Sequence, residues 1–520
     1  MKKTLTLVSL FFTFSLLSQN VLWEDVYSNY LVLGKMIAND SQDNVVTVGN
    51  GGPVTAFNDY LYVQKHTPTG TLIWKDSIAT TIANNYHSST WVGTDSNDNI
   101  IVTGYRFILS SQNEVPNAIK VLKFDPQGNL VFNKTVEGVY GSGSVSGMGK
   151  RHWAALDENN NLYVAAAGTT NTTASAGFLL LKFDVDGNLL WERVKTFTNI
   201  HALRGMHYKN GKIALIGKAT VSEQTNAVAV WDENGDLLWS QDNSGSNQTW
   251  GTDIVLDANG NTYTLTQQYD NGLYGLGVHK KDIQGNTLFS EVYGFPTDMT
   301  SGRMALLPNG NLVVTGTNWT VGGNGALEVL EVSPLDGSIV FSSSQLLPEI
   351  TNWVYDIKVA SNASYYIAGY SNNNGGAPSH FFLYAFSTTN GFEWSALYDS
   401  QGTEARGIVM DSQDDIYAVI HNKFTVVKFD NSVDIVLGNG EANAPVTKFY
   451  PNPVSDYLYV SSPAAHGLKK ITLFSLQGKK ILEYERDLEV LDLTALASGT
   501  YLICIEIDNG TVYTSRVLKK

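Results

Sequence analysis

Short segments in which hydrophobic and polar residues alternate, each ended by a turn rich in Asn, Asp and Gly, follow one another along most of the chain. The segment KFDVDGNLLWERV at 182–194 is one example, and 123–133 and 230–240 repeat it. Alternation with a period of two is typical of a strand that buries one face, and Asn, Asp and Gly accept the positive φ of tight hairpin turns. The pattern therefore predicts pairs of strands joined by tight turns.

The turn glycine of this hairpin recurs at intervals of roughly 50 residues, and an aromatic residue follows it by three or four places in every copy. A second hairpin precedes each one, as in DENNNLYVAAAG at 157–168. Each unit thus contains four strands, which at this period is typical of a β-propeller blade, and the aromatic is placed to fill the contact between blades. The recurring glycines are Gly70, Gly128, Gly187, Gly235, Gly285, Gly337 and Gly391.

The last unit, 404–431, shows only three strands, and the missing strand is found near the start of the chain. VLWEDV at 21–26 closely matches LLWERV at 189–194, the last strand of another unit. We therefore expect the N-terminal strand to complete the last blade and close the ring, which removes open sheet edges. Residues 20–431 allow roughly 51 residues for each of eight blades. We predict an all-β fold with one eight-bladed propeller, or seven blades if one unit is degenerate.

Composition narrows the cell compartment and the class of partner. Lys2, Lys3 and an apolar run before Ser18 predict that residues 1–18 are a secretory signal peptide, and no other stretch is suited to span a membrane. The excess of 49 Asp+Glu over 34 Lys+Arg, a net charge of −15, disfavours nucleic acid as a partner. A single cysteine, Cys504, excludes an internal disulfide and a multi-thiolate metal site, and we expect it to be buried in a strand.

The repeat covers 19–431, a linker is expected at 432–446, and short alternating strands at 447–520 predict a small C-terminal β-sandwich. Its segments are KFYPNP at 448–453, LFSLQGKKI at 473–481, and LDLTALASGTYLI at 491–503, and the chain ends in two lysines. The residues that carry these motifs are Tyr450, Pro451, Asn452, Pro453, Gly478, Gly499, Tyr501, Lys519 and Lys520.

These C-terminal motifs resemble, in order, those of the type A sorting domain of the type IX secretion system. The resemblance implies export across the outer membrane by that machinery, followed by release or attachment to the cell surface. An ordinary adhesive sandwich is the alternative. The repeats themselves resemble bacterial propeller repeats of the D..GN.yvtG type and, through G.LLW, the repeats of quinoprotein propellers. A quinoprotein cofactor is not expected, because that family's vicinal cysteines are absent, so we predict no cofactor.

Propeller topology indicates where a ligand would bind. The two tight turns of each blade lie on one face, and the other connections, which look long and variable, lie on the opposite face. Variable loops on a rigid scaffold often carry function, so we expect the site on this loop face. The segments predicted as loops include 105–118, 137–150, 317–325 and 371–380.

Each innermost strand begins at the loop face near the axis, where aromatic, acidic and basic residues collect. A funnel of such groups suits a glycan or peptide; the alternative is that the tryptophans complete the core and the charges are solvated. The candidates are Trp91, His152, His201, Trp250, Asp253, Trp353, Asp356, Glu404 and Arg406.

Several turns, such as Asp95–Asn99, match part of a calcium-loop pattern. They lack the Gly at the sixth place and the Glu at the twelfth, so we predict turn formers and no metal site. No hydrolase, metalloprotease or phosphate-loop motif is found. The favoured function is binding of an extracellular glycan, peptide or envelope partner. Two alternatives stay open: an extracellular polysaccharide- or peptide-degrading enzyme that uses Asp253, Asp356 and Glu404, and a purely structural surface protein.

Overall fold

The computed structural model of the chain contains two compact units, Val21–Asn431 and Ser432–Lys520. The residues that it describes are 21–27, 32–52, 60–79, 85–110, 113–137, 140–141, 153–170, 173–197, 200–219, 225–242, 249–270, 273–294, 299–318, 325–347, 351–373, 376–389, 391–399, 405–421, 424–429, 448–450, 454–461, 468–475, 480–486, 488, 490–497, 499–507 and 512–519.

The first unit is a β-propeller of eight antiparallel sheets, which confirms the larger of the two predicted blade numbers. Its strands in chain order are β1 (Val21–Val26), β2 (Leu33–Asn39), β3 (Val45–Gly51), β4 (Tyr60–His66), β5 (Leu72–Ala79), β6 (Asn85–Thr94), β7 (Ile100–Ser110), β8 (Asn113–Phe124), β9 (Leu130–Glu137), β10 (Tyr140–Gly141), β11 (Trp153–Leu156), β12 (Leu162–Thr170), β13 (Thr173–Phe183), β14 (Leu189–Thr196), β15 (Ile200–Lys209), β16 (Lys212–Ala219), β17 (Thr225–Asp232), β18 (Leu237–Asp242), β19 (Thr249–Leu256), β20 (Thr262–Asp270), β21 (Leu273–Lys281), β22 (Thr287–Tyr293), β23 (Met299–Leu306), β24 (Leu312–Asn318), β25 (Ala326–Val332), β26 (Ile339–Leu346), β27 (Thr351–Val359), β28 (Ser364–Asn373), β29 (Gly376–Ser387), β30 (Gly391–Asp399), β31 (Ala405–Met410), β32 (Ile416–Ile420) and β33 (Thr425–Phe429).

Blades 1 to 7 each use consecutive strands, whereas blade 8 combines the two ends of the propeller. Blade 1 is β2–β5, blade 2 is β6–β9, blade 3 is β10–β14, blade 4 is β15–β18, blade 5 is β19–β22, blade 6 is β23–β26 and blade 7 is β27–β30. In blade 8 the order is β31, β32, β33 and then β1, which pairs antiparallel with β33. The predicted closure of the ring by the N-terminal strand is therefore confirmed.

Six of the recurrent aromatics of the outer strands pack against the turn glycine of the next blade, whereas Gly235 is contacted by Arg193. A methyl group built on Gly128 of blade 2 would lie 2.6 Å from the Trp74 ring of blade 1, and the indole Nε1 donates to the Pro126 carbonyl at 3.1 Å. Trp23 of β1 makes the same contacts with Gly70 and Pro68 of blade 1, across the closing seam. The aromatic thus fills the contact between blades, and the bare glycine makes room for it.

The repeated Asp begins most of the tight turns by accepting backbone N–H groups, as an Asx turn does. In blade 2, Asp95 Oδ1 accepts the N–H of Asn97 at 2.9 Å and of Asn99 at 3.0 Å. Its Oδ2 lies 3.0 Å from Lys123 Nζ. Burial raises the pKa of Asp95, but these hydrogen bonds and Lys123 outweigh it and lower that pKa overall. The carboxylate is therefore occupied by the turn that it forms.

The second unit contains two small antiparallel sheets around a core that includes Leu458, Ile471, Leu473, Leu491 and Ile503. Its strands are β34 (Lys448–Tyr450), β35 (Tyr457–Ser461), β36 (Leu468–Ser475), β37 (Lys480–Tyr484), β38 (Val490–Asp492), β39 (Gly499–Ile507) and β40 (Val512–Lys519). The sheet orders are β34-β35-β38 and β37-β36-β39-β40. Cys504 lies on β39, between Thr472 and Thr514 of the neighbouring strands.

The motif residues of this unit support its edges and turns. The Tyr501 hydroxyl donates to the Ala497 carbonyl at 2.9 Å. Gly499 begins β39 and pairs with Lys519 at the end of β40, and Lys519 also forms an isolated bridge with Val454. Tyr450 pairs with Tyr459. Outside the described residues lie Pro451, Asn452, Pro453, Gly478 and Lys520.

Candidate ligand site at the axial end of the propeller

The innermost strands β2, β6, β11, β15, β19, β23, β27 and β31 start at the face opposite the tight turns. Two segments predicted as loops on this face are regular hairpins instead. Strand pairing continues to Ser110–Asn113 within 105–118, and to Asn373–Gly376 within 371–380. In both segments the described strands leave only two residues for the connection between them. Parts of 137–150 and 317–325 lie outside the described residues.

A bulge of one extra residue interrupts the innermost strand of seven blades at the same place, close to the loop face. In blade 5, for example, Gly251 pairs with Thr266 and Asp253 with Leu265, which leaves Thr252 as the extra residue. A bulge bends its strand and re-aims nearby groups. The extra residues are Lys35, Thr90, Arg204, Thr252, Arg303 (with Gly302, opposite Thr315), Tyr355 and Arg406.

Arg303 of blade 6 reaches across the axis from its bulge. Its Nε donates to the Tyr355 carbonyl of blade 7 at 3.0 Å, and its Nη1 donates to the Thr252 carbonyl of blade 5 at 3.1 Å. Its guanidinium carbon lies 5.5 Å from the ring centre of Trp153 on blade 3, a cation–π contact. Since blades 3 and 6 are not neighbours, the side chain must extend over the central channel.

Asp253 and Asp356 occupy equivalent places next to the bulges of blades 5 and 7, and each ties its blade to the following one. Asp253 Oδ1 accepts the N–H of Ile254 at 3.0 Å, and Oδ2 accepts the N–H of Met304 on blade 6 at 2.9 Å. Asp356 makes the corresponding bonds to Ile357 at 2.9 Å and to Ile408 on blade 8 at 3.1 Å. Their oxygens are thus engaged in joining blades.

Burial raises the pKa of Asp253, although the charge of Arg303 and the two N–H groups oppose that rise. The charge of Asp356 also contributes to the rise, so the structure brings these two predicted residues together. Asp356 additionally contacts Lys358 Nζ at 3.1 Å. That either carboxylate contacts a ligand stays a prediction.

A second cation, Arg204 of blade 4, lies close to Arg303. Burial, and then the charge of Arg303, lower the pKa of Arg204 to about 10. Burial and the charge of Arg204 in turn lower the pKa of Lys218, at the loop end of the same blade. Arg204, Lys218 and Arg303 are therefore gathered at the axial end of blades 4 to 6, and burial disfavours the charge of the first two.

Trp250 and Trp353 stand at equivalent positions two residues before the bulges of blades 5 and 7, on either side of Arg303. Trp353 stacks on Tyr370 with ring centres 5.9 Å apart. Trp250 stacks on Tyr274 at 5.6 Å, Tyr274 contacts Tyr269 at 4.8 Å, and Tyr269 is exposed. Lys218 Nζ lies 4.5 Å from the Trp250 ring centre. We call Arg204, Lys218, Trp250, Tyr269 and Arg303 the axial cluster.

The remaining predicted site residues are placed elsewhere or are not described. Trp91 packs against the apolar cluster of Ile101, Ile119 and Val164 between blades 2 and 3, which is the core role that the sequence left open. His201 and Arg406 are described by their backbone in β15 and β31. His152 and Glu404 lie outside the described residues.

Sequence reasoning missed Arg204, Arg303, Lys218 and Tyr269. A bulge leaves no mark in the hydrophobic pattern of a single strand. Gly49 and Gly104, on the second strands of blades 1 and 2, lie opposite the residue just before the bulge, and Gly217 does so in blade 4. Aligning whole blades on these glycines would have placed Arg204 at the bulge position of Lys35. Within the described ranges, no group of three His, Cys, Asp or Glu residues is placed to hold a metal ion. No helix in the described part of the chain has the length and apolarity of a membrane span.

Comparison with known proteins decides the nature of the second unit. The family model for the secretion system C-terminal sorting domain matches residues 448–520. Residues 448–520 are a type IX sorting domain. The sorting domain directs export across the outer membrane, to be secreted or attached to the surface, and implies an interaction with the secretion machinery. The protein is thus an exported β-propeller.

Solved structures similar to the chain are distant in sequence. A protein of unknown function from Dyadobacter fermentans is 11% identical, with a TM-score of 0.36 over 70% of this chain and 97% of that one. The β-propeller domain of the Trilobed protease from Pyrococcus furiosus is 9% identical, with a TM-score of 0.37 over 68% and 93%. A polysaccharide lyase, ulvan lyase, is 11% identical, with a TM-score of 0.38 over 67% and 92%. No curated protein sequence matches the chain significantly.

Proposed function

We propose that the propeller is an extracellular binding module, and that its ligand sits at the axial end on the loop face of blades 4 to 7. The observation that carries this proposal is the anchoring of Arg303. Two of its five N–H donors are fixed by carbonyls of neighbouring blades. The other three have no acceptor among the described residues, and the side chain is half-buried. A guanidinium held in place with donors to spare suits a ligand's acceptor oxygens.

The candidate carboxylates support binding over catalysis. A general acid or base needs an oxygen within reach of substrate, whereas Asp253 and Asp356 use both oxygens to accept N–H groups from their own blade and the next one. The degradative alternative would therefore depend on Glu404. A purely structural role does not explain why positive groups are gathered at the axis of a chain whose net charge is −15.

The test is to screen the exported full chain on glycan and peptide arrays, and then to measure the affinity for each hit. Arg303→Gln should weaken binding about tenfold or more, because a charge-assisted hydrogen bond contributes about 1.5–3 kcal/mol. Arg106→Gln is the matched control, since Arg106 lies on blade 2 and pairs with Glu137 at 2.6 Å.

Lys218→Gln is the second variant, because Arg303 also joins blades and its loss lowers stability. Lys218 contacts the Trp250 ring, so its replacement should weaken binding while the melting temperature stays close to that of the original protein. Hits that bind both variants as well as the original chain would place the ligand elsewhere. The absence of binding to any glycan or peptide on the arrays would favour a purely structural role.

A further inference from the structure

We infer that the ligand of the axial cluster is an acidic polysaccharide, one that carries carboxylate or sulfate groups on sugar rings. This inference rests on the proposed binding function and names the chemistry of its ligand. The bulges of the innermost strands insert basic residues at this end of the propeller. Asp253 and Asp356 directly follow two of the bulges, but their oxygens accept backbone N–H groups. Of the seven extra residues that the described bulges insert, four are basic and none is acidic. The four are Lys35, Arg204, Arg303 and Arg406.

The charge of the axial cluster contrasts with that of the whole chain. The chain carries a net charge of −15, so its surface repels anions in general, and the cluster of Arg204, Lys218 and Arg303 is a local exception. Arg303 is already oriented by two carbonyls, and Arg204 lies near enough to sense its charge. Clustered charges of one sign attract ligands of the opposite sign, and the two carboxylates nearby, Asp253 and Asp356, are engaged by backbone N–H groups. An anion placed between Arg204 and Arg303 would relieve the repulsion between them.

The aromatic residues beside the cations favour a saccharide ligand over an acidic peptide. Aromatic pairs flank the cations on both sides, Trp250 with Tyr274 on blade 5 and Trp353 with Tyr370 on blade 7. The exposed ring of Tyr269 extends the first pair toward the rim. An aromatic ring has a negative face that attracts the positively polarised C–H groups of a pyranose. Flat aromatic faces spaced on either side of guanidinium groups therefore suit a chain of charged sugars.

Buried donors complete the site. The indole Nε1 groups of Trp153 and Trp250 are buried and have no acceptor among the described residues. Trp153 lies beneath Arg303 and Trp250 beside Lys218. Buried N–H groups are normally paired, so two such groups next to the cations mark a place where a ligand or water supplies oxygen atoms.

The experiment measures binding of the exported full chain to four polymers: dextran sulfate, polygalacturonate, dextran and poly-L-glutamate. We expect binding to the two acidic polysaccharides that weakens with rising salt, because exposed charges are screened, and no binding to dextran. Arg204→Gln and Lys218→Gln should each weaken that binding about tenfold. The matched control is Lys209→Gln, an exposed lysine at the tight-turn end of the same blade, which should bind as the original does.

Each of the other possible outcomes would contradict one of the two proposals, the acidic-polysaccharide ligand or the binding function itself. If poly-L-glutamate binds as tightly as the acidic polysaccharides, the site recognises negative charge alone, and the inference of a saccharide ligand is wrong. Binding of neutral glycans or uncharged peptides on the arrays, with loss on Arg303→Gln, would keep the proposed function and refute an acidic ligand. If Lys209→Gln weakens binding as much as Lys218→Gln, the attraction is diffuse and the axial site is refuted. No binding to any polymer or array would remove both proposals.

Discussion

Glycine at the tight turns has two separate tasks, and the chain offers a pair of residues that separates them. Gly70 and Gly310 have φ values of 87° and 88°, a region that L side chains avoid. A Cβ on Gly70 would also lie 2.7 Å from the Trp23 ring, whereas the nearest atom to one on Gly310 is Pro334 Cγ at 3.9 Å. Gly70 is therefore required both by its positive φ and by the packing of the Trp23 ring, whereas Gly310 is required by its positive φ alone.

We expect Gly310→Ala to lower the free energy of unfolding by about 1 kcal/mol, the cost of the left-handed backbone. Gly70→Ala should cost about 2 kcal/mol more, because the new methyl must displace an indole between blades. Urea denaturation of the two variants beside the original chain measures the difference. Equal losses would mean that the Trp23 ring moves aside without penalty.

His279 is a half-buried neutral histidine whose tautomer the contacts define. The Gln268 amide donates to Nε2 at 2.9 Å, so Nε2 is unprotonated, and Nδ1–H donates to Ser290 Oγ at 2.7 Å. Thr266 Oγ1 also lies 3.0 Å from Nε2. Burial, with a smaller contribution from Lys281, lowers the pKa of His279 to about 4.

A histidine pKa that is lower in the folded state makes protonation favour unfolding. The stability contributed by neutral His279 is complete above pH 6.5, its unfolded pKa, and is lost as the pH falls toward 4, up to about 3 kcal/mol. His279→Gln should therefore flatten the fall of the melting temperature between pH 7 and pH 4. A variant whose melting temperature falls as steeply as that of the original protein would show that His279 is protonated without penalty.

At the scale of elements, β1 holds the ring closed by means that do not depend on chain continuity. It pairs with β33, the Trp23 Nε1 donates to Pro68 of blade 1, and Asp25 Oδ2 lies 2.9 Å from His66 Nε2 on β4. On the tight-turn face the same seam is joined by Ser412, whose Oγ donates to Asp43 Oδ2 at 2.6 Å. Equivalent Ser–Asp bonds link blade 1 to blade 2 through Ser41 and Asp98.

We expect Trp23→Ala to destabilise the propeller by about 2–4 kcal/mol, as for other truncated aromatic side chains at packed contacts. Trp74→Ala is the matched control, since Trp74 makes the same contacts between blades 1 and 2.

A chain that lacks residues 21–27 should also expose the edge of β33 and self-associate. Light scattering at several concentrations tests this. A monomer as stable as the original would show that β1 is dispensable.

At the scale of the whole molecule, export and the proposed binding belong to separate units. The sorting domain at 448–520 carries the export signal, and it has its own core. Deleting 448–520 should leave the protein in the periplasm, whereas Arg303→Gln should still be exported. Cell fractionation and immunoblotting of the two variants measure this. Surface display of the deleted chain would mean that the propeller carries a second signal.

Much of the fold follows from the sequence, because the features that specify it are local. The alternation of hydrophobic and polar residues that marks a strand extends over six or eight residues, and the Asp-x-x-Gly-Asn motif that marks a turn extends over five. The matching ends 21–26 and 189–194 reveal the closing strand because repetition makes strands comparable. The length of the loops was not predictable in this way, since Asn and Gly in 371–380 fit a long loop and a tight hairpin equally well.

The sequence by itself determined the blade repeat, the closure by residues 21–26 and the sorting domain, because each depends on residues that are close in the chain or on a recurring motif. Only the tertiary structure shows the surroundings of the proposed site. Arg303 meets Thr252, Tyr355 and Trp153, which come from three other blades, and its register depends on a bulge with no sequence mark. Two carboxylates such as Asp253 and Asp356 could in principle serve as an acid and a base. The packing of one blade on the next, however, directs their oxygens to backbone N–H groups.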